Sequence, residues 1–195
     1  RTSPERLAVQ FRDVSAELAE RLRRMPSHDS IFADALARTS AVLGVIGSDT
    51  AGDGAEGFPP ARIMGPPPDL QVFRAGERSL PEIDKAASGH GLFNAELENG
   101  VVRRVPLVAM VGGYPLLSLP LECLRVAAGE PFFNLQSDLS GPLRVVIGDL
   151  AVPTQSDGSL FVHYAGHSPA RYLSAIDVLE GRDDPDLIAG RIVLL

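Results

Sequence analysis

Arg103 and Arg104 stand side by side in VVRRVPLVAMV, residues 101–111, a stretch that is otherwise apolar. Side chains alternate faces along a strand, so adjacent arginines point opposite ways. A planar guanidinium suits two tasks. It can pair with a carboxylate of the same fold, or it can hold a carboxylate or other anion from outside. The residues just before supply a register. GHGLFNAELENG, residues 89–100, ends in Asn99-Gly100, a pair that favours a two-residue hairpin turn. That turn sets Glu98 opposite Val101, Leu97 opposite Val102, Glu96 opposite Arg103 and Ala95 opposite Arg104. Glu96 then neutralises Arg103, and Arg104 shares the apolar face and needs a partner. A three-residue turn with Gly100 as a bulge exchanges the two roles. In either register one arginine has a local partner and the other requires a carboxylate or a ligand.

Other chemistry-bearing residues are sparse. His163 and His167 are spaced i, i+4, as metal ligands on a helix would be. SLFVHY and Gly166 put them on a strand end and a turn instead, so no metal is expected. Gly52-Asp53-Gly54-Ala55-Glu56-Gly57 matches a dinucleotide-binding fingerprint. Phe58-Pro59-Pro60 forbids the helix that must follow it, and Asp53 and Glu56 would repel phosphate, so the segment reads as a loop. Neither G-x-x-x-x-G-K-[ST] nor G-x-S-x-G occurs, and no cofactor is expected. Cys123, the single cysteine, falls within a helical pattern and reads as a buried thiol.

The composition sets limits. In 195 residues, 18 Lys and Arg face 25 Asp and Glu, a net charge of -7. This disfavours nucleic acid and anionic lipid as partners. Hydrophobic residues form 45% of the chain, enough for one packed domain over 1–195. Gly and Pro interrupt the uncharged run 105–121, which reads as strand, turn and helix rather than a membrane span. The absence of an initial methionine and the apolar end RIVLL suggest a fragment of a longer protein.

The elements that must carry these residues follow from periodicity and caps. TSPERLAVQFRDVSAELAERLRR predicts one helix, with Leu7, Phe11, Val14, Leu18 and Leu22 on a face. A second helix is expected over about 30–39, capped by Asp29. AVLGVIG, 41–47, reads as a buried strand, and 48–68 as a long Gly/Pro-rich loop. DLQVFRA reads as a short strand and SLPEIDKAASG as a short helix capped by Ser79. The hairpin follows, then a helix over 117–128 with Pro120 in its first turn and Gly129 at its end. LRVVIGDLAVP and SLFVHY predict strands with turns at Gly148-Asp149 and Asp157-Gly158. SAIDVLEG predicts a helix and RIVLL a final strand. The pattern is α/β: one domain with a mixed sheet containing a long hairpin, flanked by helices.

The ordered motifs GHGLFNAELENGVVRRVPL and YPLLSL, then SDGSLFVHYAG, SAIDVLEG and LIAGRIVLL, resemble the type 2 CHASE domains. These are cyclase- and histidine-kinase-associated sensory extracellular domains. RTSPERL and DSIFADALA resemble the family's earlier part, so the likeness spans nearly the whole chain. Asn99-Gly100 stands where the family usually has Asp-Gly, and Pro120 interrupts a smoother helix. The resemblance implies a leading strand-helix-strand and a continuation after IVLL that this sequence does not include, so exposed sheet edges that favour pairing with another chain are expected.

The resemblance implies an extracytoplasmic sensor in a bacterial membrane protein, periplasmic or extracellular, joined to the membrane only by flanking helices. The domain itself would be non-catalytic, with a cyclase or kinase output module in the cytoplasm. Ligand contact, to a small molecule or anion, is expected at Arg103 or Arg104, with Asn94, His90, His163 and Tyr164 nearby. A homodimer is expected. Two rivals remain at this point: a small α/β hydrolase built around His163 or His167, and a dimerisation module without a ligand.

Overall fold

The computed structural model describes residues 3–12, 15–50, 57–138 and 142–195. Three helices open the chain: α1 (Pro4–Gln10), α2 (Ala16–Arg23) and α3 (His28–Leu36). The first two were expected to be one. The Ser15 hydroxyl accepts from Leu18 N at 3.2 Å and starts a new helix there. Val14, assigned above to the shared face, lies outside the described residues. Ser27, not Asp29, caps α3, accepting from Ser30 N at 2.9 Å.

The strands and remaining helices follow in order: β1 (Val42–Ser48), β2 (Ala61–Met64), β3 (Val72–Phe73), β4 (Ala75–Glu77), α4 (Pro81–Ala86), β5 (Gly89–Leu92), β6 (Leu97–Glu98), β7 (Val101–Val102), β8 (Arg104–Pro106), β9 (Val108–Val111), β10 (Tyr114–Leu117), α5 (Leu119–Ala127), β11 (Phe133–Gln136), β12 (Arg144–Ile147), β13 (Leu150–Pro153), β14 (Ser159–Phe161) and α6 (Ala175–Leu179). The α/β class and mixed pairing agree with the sequence reading. Instead of one sheet, however, small sheets share the strands.

In one, β1 pairs antiparallel with β4 and parallel with β5. In another, β9 pairs antiparallel with β10 and parallel with β3. A four-stranded sheet runs β13-β12-β11-β2, with β2 and β11 parallel. So the Gly/Pro-rich loop contains a strand. Two-stranded ladders join β6 to β7 and β8 to β14.

Two apolar clusters fill the interior. One gathers Leu107, Val108, Leu117, Leu121, Phe133, Leu135, Leu143, Val145 and Ile147 from β9–β12, α5 and the residues just before β9 and β12. The other joins Val45, Phe73, Leu92, Ala109, Val111 and Leu116. β9 serves both, through Val108 on one side and Ala109 and Val111 on the other. Helix α5 lies directly on β5. A Cβ at Gly91 would stand 2.5 Å from Leu119 Cα, and one at Gly89 would collide with Glu122 Oε1. The glycines of GHG therefore let a helix backbone and a buried carboxylate touch the strand.

No described residue after Gly158 is buried. RIVLL forms no strand, and Ile192, Val193 and Leu194 are exposed. Among the described residues, no helix is long and apolar enough to cross a membrane.

Candidate functional site

The hairpin turn forms as its dipeptide demands. Asn99 and Gly100 both adopt positive φ, 53° and 81°, as a type I′ turn requires. Leu97 faces Val102 and Glu98 faces Val101, in the two-residue register. The ladder stops there, so the long hairpin is in fact a short one. Glu96 does not pair across to Arg103; it accepts from Gln71 Nε2 at 3.1 Å. Beyond Val102 the chain changes partner. The Arg103 carbonyl accepts from Val162 N at 2.8 Å, and β8 pairs antiparallel with β14, Arg104 opposite Phe161.

The two arginines then part. Arg104 Nε stands 3.5 Å from Glu98 Oε1, and its Nη1 4.0 Å from Asp157 Oδ2. Its guanidinium lies 5.5 Å above the centre of the Phe161 ring. Ser159 donates to Asp157 Oδ1 from Oγ at 2.7 Å and from its backbone N at 2.9 Å. The Ser159 hydroxyl, more than the nearby Arg104, holds the Asp157 carboxyl below the usual aspartate range.

Arg103 points elsewhere. It is exposed, and among the described residues its side chain has no hydrogen bond or ion pair. With Val101, Val102, Phe161, Val162 and Tyr164 it lines a groove of about 220 Å³. The Tyr164 hydroxyl closes one wall by donating to the Val102 carbonyl at 2.8 Å. His163 is exposed on the same segment. His167 stacks on Tyr172, with ring centres 5.2 Å apart. Among the described residues, neither histidine is hydrogen-bonded to a serine or a carboxylate. Among the described residues, no three His, Cys, Asp or Glu converge as a metal site would need.

His90 and Asn94 have internal duties. Asn94 Oδ1 accepts from Gly47 N at 2.6 Å and its Nδ2 donates to Gly47 O at 2.9 Å, imitating a strand partner for the end of β1. His90 is buried in a charged cluster. Arg78 grips Asp84 with two donors, Nε at 3.1 Å and Nη2 at 2.7 Å. His90 Nε2 lies 2.9 Å from Asp84 Oδ1 and 3.4 Å from Arg78 Nη2. Its Nδ1 is buried without a hydrogen bond among the described residues. Phe58 covers the cluster, 5.1 Å from the Arg78 guanidinium.

A second internal pair lies in α5. Arg125 donates to Glu122 through Nε at 2.7 Å and Nη2 at 2.6 Å, and through Nη1 to the Glu130 carbonyl. Glu122 is 0% exposed and Arg125 8%. The buried arginine of this fold is therefore in a helix, not in the apolar strand. Sequence reasoning missed Arg78, Asp84, Glu122 and Arg125. The i, i+3 spacing of Glu122 and Arg125 was a usable signal, because it permits a pair on one helix face. Cys123 beside them is partly buried. Burial pushes its thiol above the ordinary range, and the Glu122 carboxylate adds to this.

A model of the CHASE2 domain matches residues 3–195. No curated protein and no solved structure gives a significant match.

Proposed function

The chain belongs to the CHASE2 domain family, whose members are sensory domains typical of extracytoplasmic sensors, and we propose that it is the ligand-sensing region of a bacterial membrane signalling protein. On this reading a cyclase or kinase module in the cytoplasm supplies the output, and the domain itself performs no chemistry. Ligand contact is assigned to Arg103, with Tyr164 and His163 beside it. Arg104 borders that contact and fixes the β8–β14 ladder. His90 and Asn94 act from within, by holding β5 and β1.

The observation that carries the reading is continuity of the backbone. Val101 to Val111 passes from the groove, through β8, into β9, which is central to both apolar clusters. A ligand that tightens Arg103 therefore acts on a strand whose displacement the core must feel, since packed interiors resist continuous deformation. Exposed Ile176, Leu179, Ile192 and Leu194 support a homodimer, in which signalling changes the relation of two copies.

Protease access in spheroplasts that carry the full-length membrane protein tests the reading. Trypsin added outside intact spheroplasts is expected to cut within residues 171–191, where Arg171, Arg182 and Arg191 are exposed. Cleavage only after lysis would place the domain in the cytoplasm and overturn it.

A further inference from the structure

We propose that the groove at Arg103 takes a small organic monocarboxylate with a hydrocarbon body, the guanidinium holding the carboxylate. This rests on the sensory reading above and gives its ligand a chemistry. The lining residues other than Arg103 are Val101, Val102, Phe161, Val162 and Tyr164. It contains one cation, three valines, two aromatic rings and no acid. The chain carries 25 acidic against 18 basic residues, yet no described carboxylate pairs with Arg103. The next residue, Arg104, has two carboxylates within 4.0 Å. Glu98 and Asp157 are thus engaged by Arg104, and among the described residues the Arg103 guanidinium has no carboxylate of its own.

A single guanidinium matches a single carboxylate in two parallel hydrogen bonds. A phosphate dianion would set its second charge against valine side chains, at a desolvation cost without return. The Tyr164 proton is already given to the Val102 carbonyl, so the phenol adds no free donor for more anionic oxygen. The apolar walls favour a hydrocarbon body behind the carboxylate. At about 220 Å³ the groove falls below the range of about 300–1,000 Å³ that holds drug-sized ligands, so the body is short. The walls come from two distant segments, β7 and the end of β14 with the stretch after it, joined here by the Arg103–Val162 and Val102–Tyr164 hydrogen bonds. A bound ligand would bridge the same two segments.

NMR titration of the 195-residue chain tests this, with sodium hexanoate, 1-hexanol and inorganic phosphate as probes. Hexanoate is expected to shift the amides of Val101, Val102, Val162 and Tyr164 and the Arg103 Nε–H saturably. Hexanol and phosphate should bind at least about tenfold more weakly, the scale of one charge-assisted hydrogen bond. Arg103→Gln should weaken hexanoate by a similar factor in a protein whose spectrum is otherwise native, while Arg144→Ala, in β12 and outside the groove lining, keeps affinity within about twofold. Equal binding of hexanol, or stronger binding of phosphate, would overturn the carboxylate assignment. So would affinity unchanged by Arg103→Gln, or no binding at all. No binding together with trypsin cleavage from outside would remove this inference and leave the sensory role standing.

Discussion

Arg125 and Arg103 are both arginines in mainly apolar surroundings, and the fold treats them in opposite ways. Arg125 is enclosed, forked onto a fully buried Glu122 and tied to the Glu130 carbonyl. Every charge there has an internal answer, so the pair holds α5 in shape and offers nothing to solvent. Arg103 sits where the chain leaves one ladder and enters the next. Its backbone is committed to Val162, and among the described residues its side chain has no partner. A closed pair specifies structure, because breaking it strands a charge in a poor solvent. An open one at a strand junction costs the fold nothing and remains available for a ligand.

Removing the internal partners should separate the two regions most sharply. Arg125→Ala leaves Glu122 buried and unpaired, and is expected to lower unfolding free energy by about 3–5 kcal/mol in urea denaturation. A loss no greater than a surface arginine gives would show that α5 is not closed around the pair. Asp84→Ala ranks next. It deprives Arg78 of two hydrogen bonds and His90 of one. The expected loss is about 2–3 kcal/mol, read the same way, with the Phe58 side of the molecule loosened first in hydrogen exchange.

Effects on the hairpin side are smaller. Arg104→Ala removes half-exposed pairs and should cost less than about 1 kcal/mol. The acid behaviour of Asp157 gives the finest distinction. Its carboxyl is held below the ordinary value of about 3.9. The sign follows from that direction: the stabilisation is present above the unfolded pKa and disappears as pH falls through the lower folded one. Ser159→Ala removes the largest cause. The gap in urea midpoint between wild type and this variant should therefore be greatest above about pH 4 and close in stronger acid. A gap independent of pH would show that Ser159 acts through packing.

Local rules made part of this legible. Asn99-Gly100 declares its turn because both residues tolerate positive φ. Pro120 and Gly129 bound α5 as their missing N–H and missing Cβ suggest. The α/β class followed from alternating periods. What stayed hidden depends on contacts far along the chain. The hairpin ends after Val102 because Gln71 takes Glu96 and β14 takes β8, and no window around residue 100 contains those competitors. Likewise β2 emerges from a Gly/Pro-rich loop because β11 offers it a parallel edge. A buried arginine is expected in the apolar strand 101–111, where two arginines stand out. It lies instead in α5, where Glu122 and Arg125 are buried together. For the candidate site, the sequence names Arg103, Arg104, Asn94, His90, His163 and Tyr164, and of these Arg103 and Tyr164 line the groove. That they line one groove depends on the pairing of β8 with β14.

Hydrogen exchange of the arginine Nε–H protons, followed by NMR on the unliganded wild-type chain, tests the contrast without altering a residue. Arg125 Nε–H, buried and 2.7 Å from Glu122 Oε2, should exchange slowest. Arg104, 3.5 Å from Glu98 and half exposed, should show slight protection. Arg103 should exchange at the rate of a solvated side chain. Protection of Arg103 comparable to that of Arg125 would mean that it too is closed within the fold, and would contradict its role as the charge left open for a ligand.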